Sequence, residues 1–147
     1  MTGPETPFFI VNVEAVVRRE GKYLLTLRSE DEPHAPGTLA LPGGKVEFDD
    51  AVQDTLESTL KREVLEETGV EVTDLSYLES KWFRADDGVP VVDIVFLCEY
   101  VRGNAAALDA AEIAEVLWLT ADDVTAHPKA PPWTRQSIEK AERYGTV

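Results

Sequence analysis

The chain has one cysteine and two histidines in 147 residues. A lone Cys98 excludes an internal disulfide and any zinc site built from cysteine pairs. It lies in an apolar run, where a thiol behaves as a small core residue rather than a nucleophile. His34 and His127 fall in separate polar stretches, so no Ser/His/Asp or Cys/His arrangement is visible. Positive charge is scarce as well. Fourteen Lys and Arg stand against 28 Asp and Glu, a net charge of −14. So acidic a chain is a poor partner for a nucleic acid polymer or an anionic membrane surface. No apolar run approaches the roughly 18 residues of a membrane span, and no charged-then-apolar leader opens the chain. The expectation is a cytoplasmic protein with no membrane role.

What is present is ordinary for a globular protein: 44% hydrophobic and 29% charged residues, enough for one domain over 1–147 with a sizeable core. No repeat, linker or second domain interrupts it. Met1 to Pro7, with two prolines and a glycine, reads as a loose end. Phe8–Val17 and Tyr23–Arg28 are β-branched and aromatic, and read as a hairpin around the Arg18–Lys22 turn. Arg28 then leads towards the loop at 42–44 and is a candidate for substrate phosphate.

Leu39–Leu41 suits a short strand. Pro42-Gly43-Gly44 reads as loop, and its glycines let backbone approach a ligand closely. Val70–Val72 is short and extended. Leu75–Arg84 and Val89–Val101 read as two strands joined at Asp87-Gly88, with Val91–Leu97 buried on both faces. Trp82 and Phe83 are candidates for stacking on a nucleobase. After a loop at 102–111, Glu112–Leu119 ends in a strand. Thr120 caps a short helix to Ala126, and Trp133–Tyr144 forms a final helix stopped by Gly145. Strands, one central helix, more strands and terminal helices make an α+β layered domain.

The central helix carries the chemistry. Read over 51–68, it places Val52, Leu56, Leu60 and Val64 on one stripe. At about 100° per residue, Glu63 and Glu67 fall on or beside that stripe and Glu66 on its edge. The core-facing side thus turns from aliphatic to carboxylate in its last turns. Like charges at i,i+4 repel, anions oppose the dipole at a helix C-terminus, and buried carboxylates are costly without partners. Divalent Mg2+ or Mn2+ held by Glu63, Glu66 and Glu67 would relieve all three. The alternative is a solvated acidic face that ends at a glycine cap. The helix start is open: Asp50 caps it if it begins at Ala51, whereas a start at Thr55 makes Asp54 the cap and Glu57 a capping-box partner.

Residues 43–70 resemble the Nudix box: Gly, five residues, Glu, seven residues, Arg-Glu, an aliphatic, any residue, Glu-Glu, any residue, Gly, an aliphatic. Arg62-Glu63-Val64-Leu65-Glu66-Glu67-Thr68-Gly69-Val70 fits its second half throughout. In the first half, nine residues separate Gly44 from Asp54 where the box has five, an insertion of four. Counted forward from Gly44, the box's first acidic position falls on Asp50. Counted back from Arg62, it falls on Asp54.

The resemblance implies a Nudix α/β/α sandwich around a mixed sheet, and hydrolysis of a diphosphate linkage in a nucleoside diphosphate derivative. It implies that the Gly43 carbonyl joins the metal ligands and that Arg62 positions a carboxylate. Glu66, Glu67, Glu112 or Glu115 would act as general base. Self-association as a homodimer is a further implication. In the window that separates subfamilies this chain has Ala85, Asp86 and Asp87, without the Pro of ADP-ribose enzymes or the Tyr of dinucleoside polyphosphate enzymes. By exclusion, a nucleoside triphosphate or a nucleotide sugar is favoured. The rival reading is a Nudix-like domain that binds a nucleotide without cleaving it. A third is a calcium-binding or structural acidic helix, which lacks any EF-hand loop.

Overall fold

The computed structural model describes residues 6–144. They form seven strands and three helices: β1 Ile10–Arg19, β2 Lys22–Arg28, β3 Leu39–Ala40, β4 Gly43–Lys45, α1 Thr55–Thr68, β5 Glu71–Arg84, β6 Pro90–Arg102, β7 Ile113–Leu119, α2 Ala121–Ala126 and α3 Pro132–Arg143. The sheet runs β3-β2-β1-β6-β5, with β4 added to β1 and β7 to β2. It is mixed. β1 lies parallel to β6, from Ile10 opposite Val91 to Arg18 opposite Glu99, and the other pairs are antiparallel.

Two cores sandwich the sheet. On one face Leu60 and Val64 of α1 pack on Val13, Ala15, Val17, Phe96 and Cys98. On the other, Val124 of α2 and Ile138 and Ala141 of α3 pack on Val16, Leu25, Val95 and Leu97. β1 and β6 therefore bury both faces, as expected of strands with nearly continuous apolar sequence. Cys98 is fully buried, and burial pushes its thiol up to about 12, as suits a packing residue. This is the α/β/α sandwich. No helix among the described residues is long and apolar enough to cross a membrane.

Several expectations change. Gly43–Lys45 is not loop but strand β4, with Gly43 opposite Glu14 and Lys45 opposite Asn12. The 71–84 segment is one strand, not two, broken in register near Asp74, whose φ is 52°. Helix α1 starts at Thr55, so Val52 leaves the stripe and is 94% exposed. Asp54 occupies the cap position at φ 52° without a side-chain cap bond, so the capping box with Glu57 is not formed. By contrast, Thr120 and Asp123 do close a capping box on α2. Gly145 and the first five residues of the expected loose end lie outside the described residues 6–144.

Strand β4 is tied closely to β1. A Cβ on Gly43 would stand 2.0 Å from the Val13 carbonyl oxygen and 2.9 Å from the Glu14 Cα. Both are backbone atoms, which cannot swing aside. Gly43→Ala is therefore expected to destabilise the fold by about 1–3 kcal/mol, as overpacking does. A thermal denaturation midpoint several degrees below wild type is the check; an unchanged midpoint would show that β4 does not lie this close.

Candidate active site

The acidic end of α1 faces β4. Glu67 accepts a hydrogen bond from the Gly43 N–H at 3.0 Å. Glu63 fills the space in front of Gly44, where a Cβ would meet its carboxyl carbon at 2.4 Å. Gly44 thus leaves room that any larger residue would take from Glu63. Gly69 ends the helix at φ 76°, its N–H bonded to the Leu65 carbonyl. The following turn of carbonyls is capped from afar: the Ala106 N–H bonds to Thr68 O and the Leu108 N–H to Glu67 O, both at 3.0 Å. That capping draws the 103–112 segment to the end of α1 and brings Asp109 and Glu112 beside Glu67.

The electrostatics record this convergence. Burial, then Glu63, Glu112 and Asp109, push the Glu67 carboxyl up to about 8, against the partial relief of the Gly43 N–H. Burial also raises Glu63, with Glu66 and Glu112 adding to it and Arg62 opposing. Glu112 is raised by burial, Asp109 and Glu32, and eased by Arg28 and Lys45. Carboxylates brought together from α1 and a distant loop, with their charge only partly compensated by Arg62, are a donor set suited to a hard divalent cation. The volume left at Gly44 seats one of them, the Glu63 carboxyl. Among the described residues, no three acidic, histidine or cysteine side chains yet stand close enough to form a finished cage. Glu63 and Glu66 are turned to Arg62 instead.

Arg62 lies at the hub. Its guanidinium reaches Glu63 at 3.0 Å, Glu66 at 3.2 Å and Asp50 at 2.8 Å. Asp50 also accepts the Glu47 N–H, and that bond, with Arg62, holds its carboxyl below the usual range. Asp50 therefore takes the position of the box's first acidic residue, and Asp54 does not. The extra residues lie after Asp50, between it and α1. The sequence count alone left these two aspartates level.

The remaining candidates divide. Arg28 binds Glu32 at 2.9 Å and the His34 carbonyl at 3.0 Å, and its charge reaches Glu112. The Ser29 N–H bonds to the Glu112 carbonyl at 2.8 Å, fastening the β2–β3 loop beside the cluster. Glu115 is exposed on β7, opposite Leu27. Phe83 stacks on His34, rings 6.1 Å apart and 13° from parallel. Trp82 points to the other side of β5; it is 60% exposed and meets Phe9 edge-on. Sequence reasoning did not single out Asp109, because an aspartate in a polar loop carries no signal of its own.

Comparison with known proteins agrees with this architecture. The family model described as NUDIX domain matches residues 9–141. A MutT-like protein of Streptomyces ambofaciens is 37% identical over 121 residues, 81% of this chain and 69% of that one. The NAD-capped RNA hydrolase NudC of Vibrio vulnificus is 33% identical over 118 residues, 80% of this chain. The match spans only 40% of NudC itself. Among solved structures, the MutT protein of Methanosarcina mazei superposes with a TM-score of 0.76 at 30% identity, covering 99% of this chain and all of that one. With a family match over nearly its whole length and the box residues gathered at one end of α1, the chain belongs to the Nudix family of hydrolases.

Proposed function

We propose that the protein hydrolyses a diphosphate linkage in a nucleoside diphosphate derivative, with Mg2+ or Mn2+ held by Glu63, Glu66, Glu67 and the Gly43 carbonyl. The observation that carries this reading is the gathering of Glu63, Glu67 and Glu112 against β4, with Glu67 pushed up to about 8. Carboxylates so placed are costly to the free protein and pay only when a cation binds. When bound, the metal would neutralise phosphate oxygens and lower the pKa of the attacking water.

The chain's own residues do the rest. Arg62 holds Glu63 and Glu66 in register and fastens them to Asp50. Gly43 fixes Glu67 through its N–H. Glu112 comes from outside the helix, and its raised affinity for a proton suits it to act as general base towards water. Arg28 lies close enough to affect Glu112 and is placed to meet a substrate phosphate. Nucleoside triphosphates and nucleotide sugars are the favoured substrates, and the NudC likeness adds NAD to the set to be tried. The protein acts on small nucleotides in the cytoplasm, with self-association a matter for sizing in solution.

Turnover with Mg2+ and Mn2+ across nucleoside triphosphates, nucleotide sugars, ADP-ribose, NAD, dinucleoside polyphosphates and coenzyme A tests the reaction. Glu66→Gln is expected to lower kcat/KM at least about a hundredfold, roughly 2.7 kcal/mol of barrier. Glu112→Gln is expected to lower kcat by about a hundredfold with little change in KM. Tight binding of one nucleotide without metal-dependent cleavage would instead favour a binding domain.

The cluster also sets a pH dependence for the metal-free protein. Glu67 ionises near 4.5 in the unfolded chain and at about 8 when folded. Between those values the folded state holds the extra proton, so stability is present at low pH and is lost as pH rises through the folded value. In chelator, the melting temperature is expected to fall from pH 5 to pH 8. Glu67→Gln, neutral throughout, should flatten that slope, and Mg2+ should restore wild type at pH 8 far more than the variant. Equal slopes in the two proteins would refute the assignment.

A further inference from the structure

Strands β2 and β5 are not neighbours. β1 and β6 lie between them in the sheet, so at about 4.8 Å per strand their ends stand at least roughly 14 Å apart. The 29–38 loop after β2 nevertheless reaches the hairpin that joins β5 to β6. His34 lays its ring on Phe83, the planes 13° from parallel and the centroids 6.1 Å apart. Its Nδ1 stands 3.5 Å from Asp86 Oδ2 in the hairpin turn. Phe83 itself stands opposite Val91, which stands opposite Ile10. The loop thus arches over the starts of β1 and β6.

The arch is firm at its neck and light at its tip. At the neck, the Arg28 N–H bonds to the Thr38 carbonyl at 2.9 Å and the Ser29 N–H to the Glu112 carbonyl at 2.8 Å. At the tip, the His34 and Asp86 side chains are 48% and 74% exposed, and so wet a pair contributes little. Just past His34 the chain passes through two left-handed residues, Ala35 at φ 45° and Gly37 at φ 67°. Ala35 carries a Cβ that this region crowds. Turning it back to the ordinary region moves the tip while the neck stays bonded.

The ring geometry points to a ligand. Phe9 with Trp82 and Tyr100 with Trp118 meet edge-on, at 88° and 82°, an arrangement that satisfies the ring quadrupoles of both partners. Among the described aromatic contacts, His34 and Phe83 are the pair with parallel faces. A third flat ring enters between them if they part by one ring thickness, about 3.5 Å. The pair also stands one side chain away from the carboxylate cluster. Arg28 Nε donates to the His34 carbonyl at 3.0 Å, and the Arg28 charge reaches Glu112. A ribose covers a similar span between its base and its phosphate.

We propose that His34 and Phe83 are the two jaws of a clamp that closes on the base of the substrate, with His34 as the moving jaw. The inference rests on the nucleotide reading of the carboxylate cluster. In the free protein the imidazole takes the place of the base on Phe83. Stacking uses the flat face that every base has. The clamp therefore selects for the presence and size of a base, purine over pyrimidine, and does not read the groups on its edge.

Calorimetric binding of AMP, CMP and ribose 5-phosphate in chelator tests the clamp without metal or turnover. Wild type is expected to hold AMP at least about tenfold tighter than ribose 5-phosphate, with CMP between them. His34→Ala and Phe83→Leu should each bring AMP to within about threefold of ribose 5-phosphate, and His34→Phe should keep the preference. The chain has two histidines, so the His34 ring protons can be followed by NMR. AMP should shift them, and ribose 5-phosphate should leave them in place. In turnover, His34→Ala should raise KM for a purine nucleotide about tenfold and leave kcat within about twofold. If Phe83→Leu fails to fold, as thermal melting would show, His34→Ala at its exposed loop position decides alone. Wild type that holds AMP no tighter than ribose 5-phosphate, or a preference that survives in the folded variants, overturns the proposal. An AMP preference lost in the variants of a protein that cleaves nothing sinks the hydrolase reading alone. Cleavage with KM unchanged by His34→Ala, and no base preference in binding, sinks this inference alone.

Discussion

Glu63 and Glu67 press against the two glycines that open strand β4. This contact organises the rest of the site. Gly44 leaves the volume that the Glu63 carboxyl occupies, and Gly43 supplies the N–H that Glu67 accepts. Strand β4 can hold that position because its other edge is zipped to β1, with Gly43 opposite Glu14. The far end of α1 is fixed by the 103–112 segment, whose N–H groups take the carbonyls of Glu67 and Thr68. Helix ends require such partners. Here the partner segment also carries Asp109 and Glu112, so capping the helix and completing the acidic cluster are one structural act.

The resulting charge is badly placed for stability. Each carboxylate raises its neighbours, and burial leaves water unable to screen them. Arg62 offsets part of this from the outer side, where Glu66 is 58% exposed in its side chain. It does so without reaching the Gly43 side, where Glu67 stays high. The same logic recurs across β1, where Glu14 and Asp93 crowd together on the other face of the sheet. Arg28 acts on Glu14 and Glu112 alike.

The second half of the box, the two-faced burial of β6 and the cap at Thr120 were legible because each depends on local pattern. Leu60 and Val64 meet the core at the helical spacing, and Glu63 and Glu67 follow them. Strand β4 was not legible. Gly-Gly has poor strand propensity, and what makes it a strand is the edge of β1, some thirty residues earlier, which strand propensity does not encode. Val52 matched the helical period by spacing alone, yet the helix begins after it. Asp50 and Asp54 could not be ranked by counting, since a count fixes distance along the chain and not which aspartate reaches Arg62. Asn12, Glu14 and Asp93 did interrupt apolar strands. Their meaning depended on a parallel register joining residues 81 apart in sequence.

The inserted residues show how the site tolerates a change of length. Asp50 keeps its bond to Arg62, and Val46 keeps its backbone bond to Val11 at 2.9 Å. Both ends of the loop are thus pinned before the extra residues begin. Lengthening a surface loop by a few residues costs little, because closure entropy grows only with the logarithm of length. Placed between Gly44 and Asp50, the same residues would have shifted the aspartate away from Arg62 and loosened Glu63 and Glu66. Placed after Asp50, they leave Val52 nearly fully exposed and the carboxylates where they were. The position of the insertion therefore follows from the contact it had to spare.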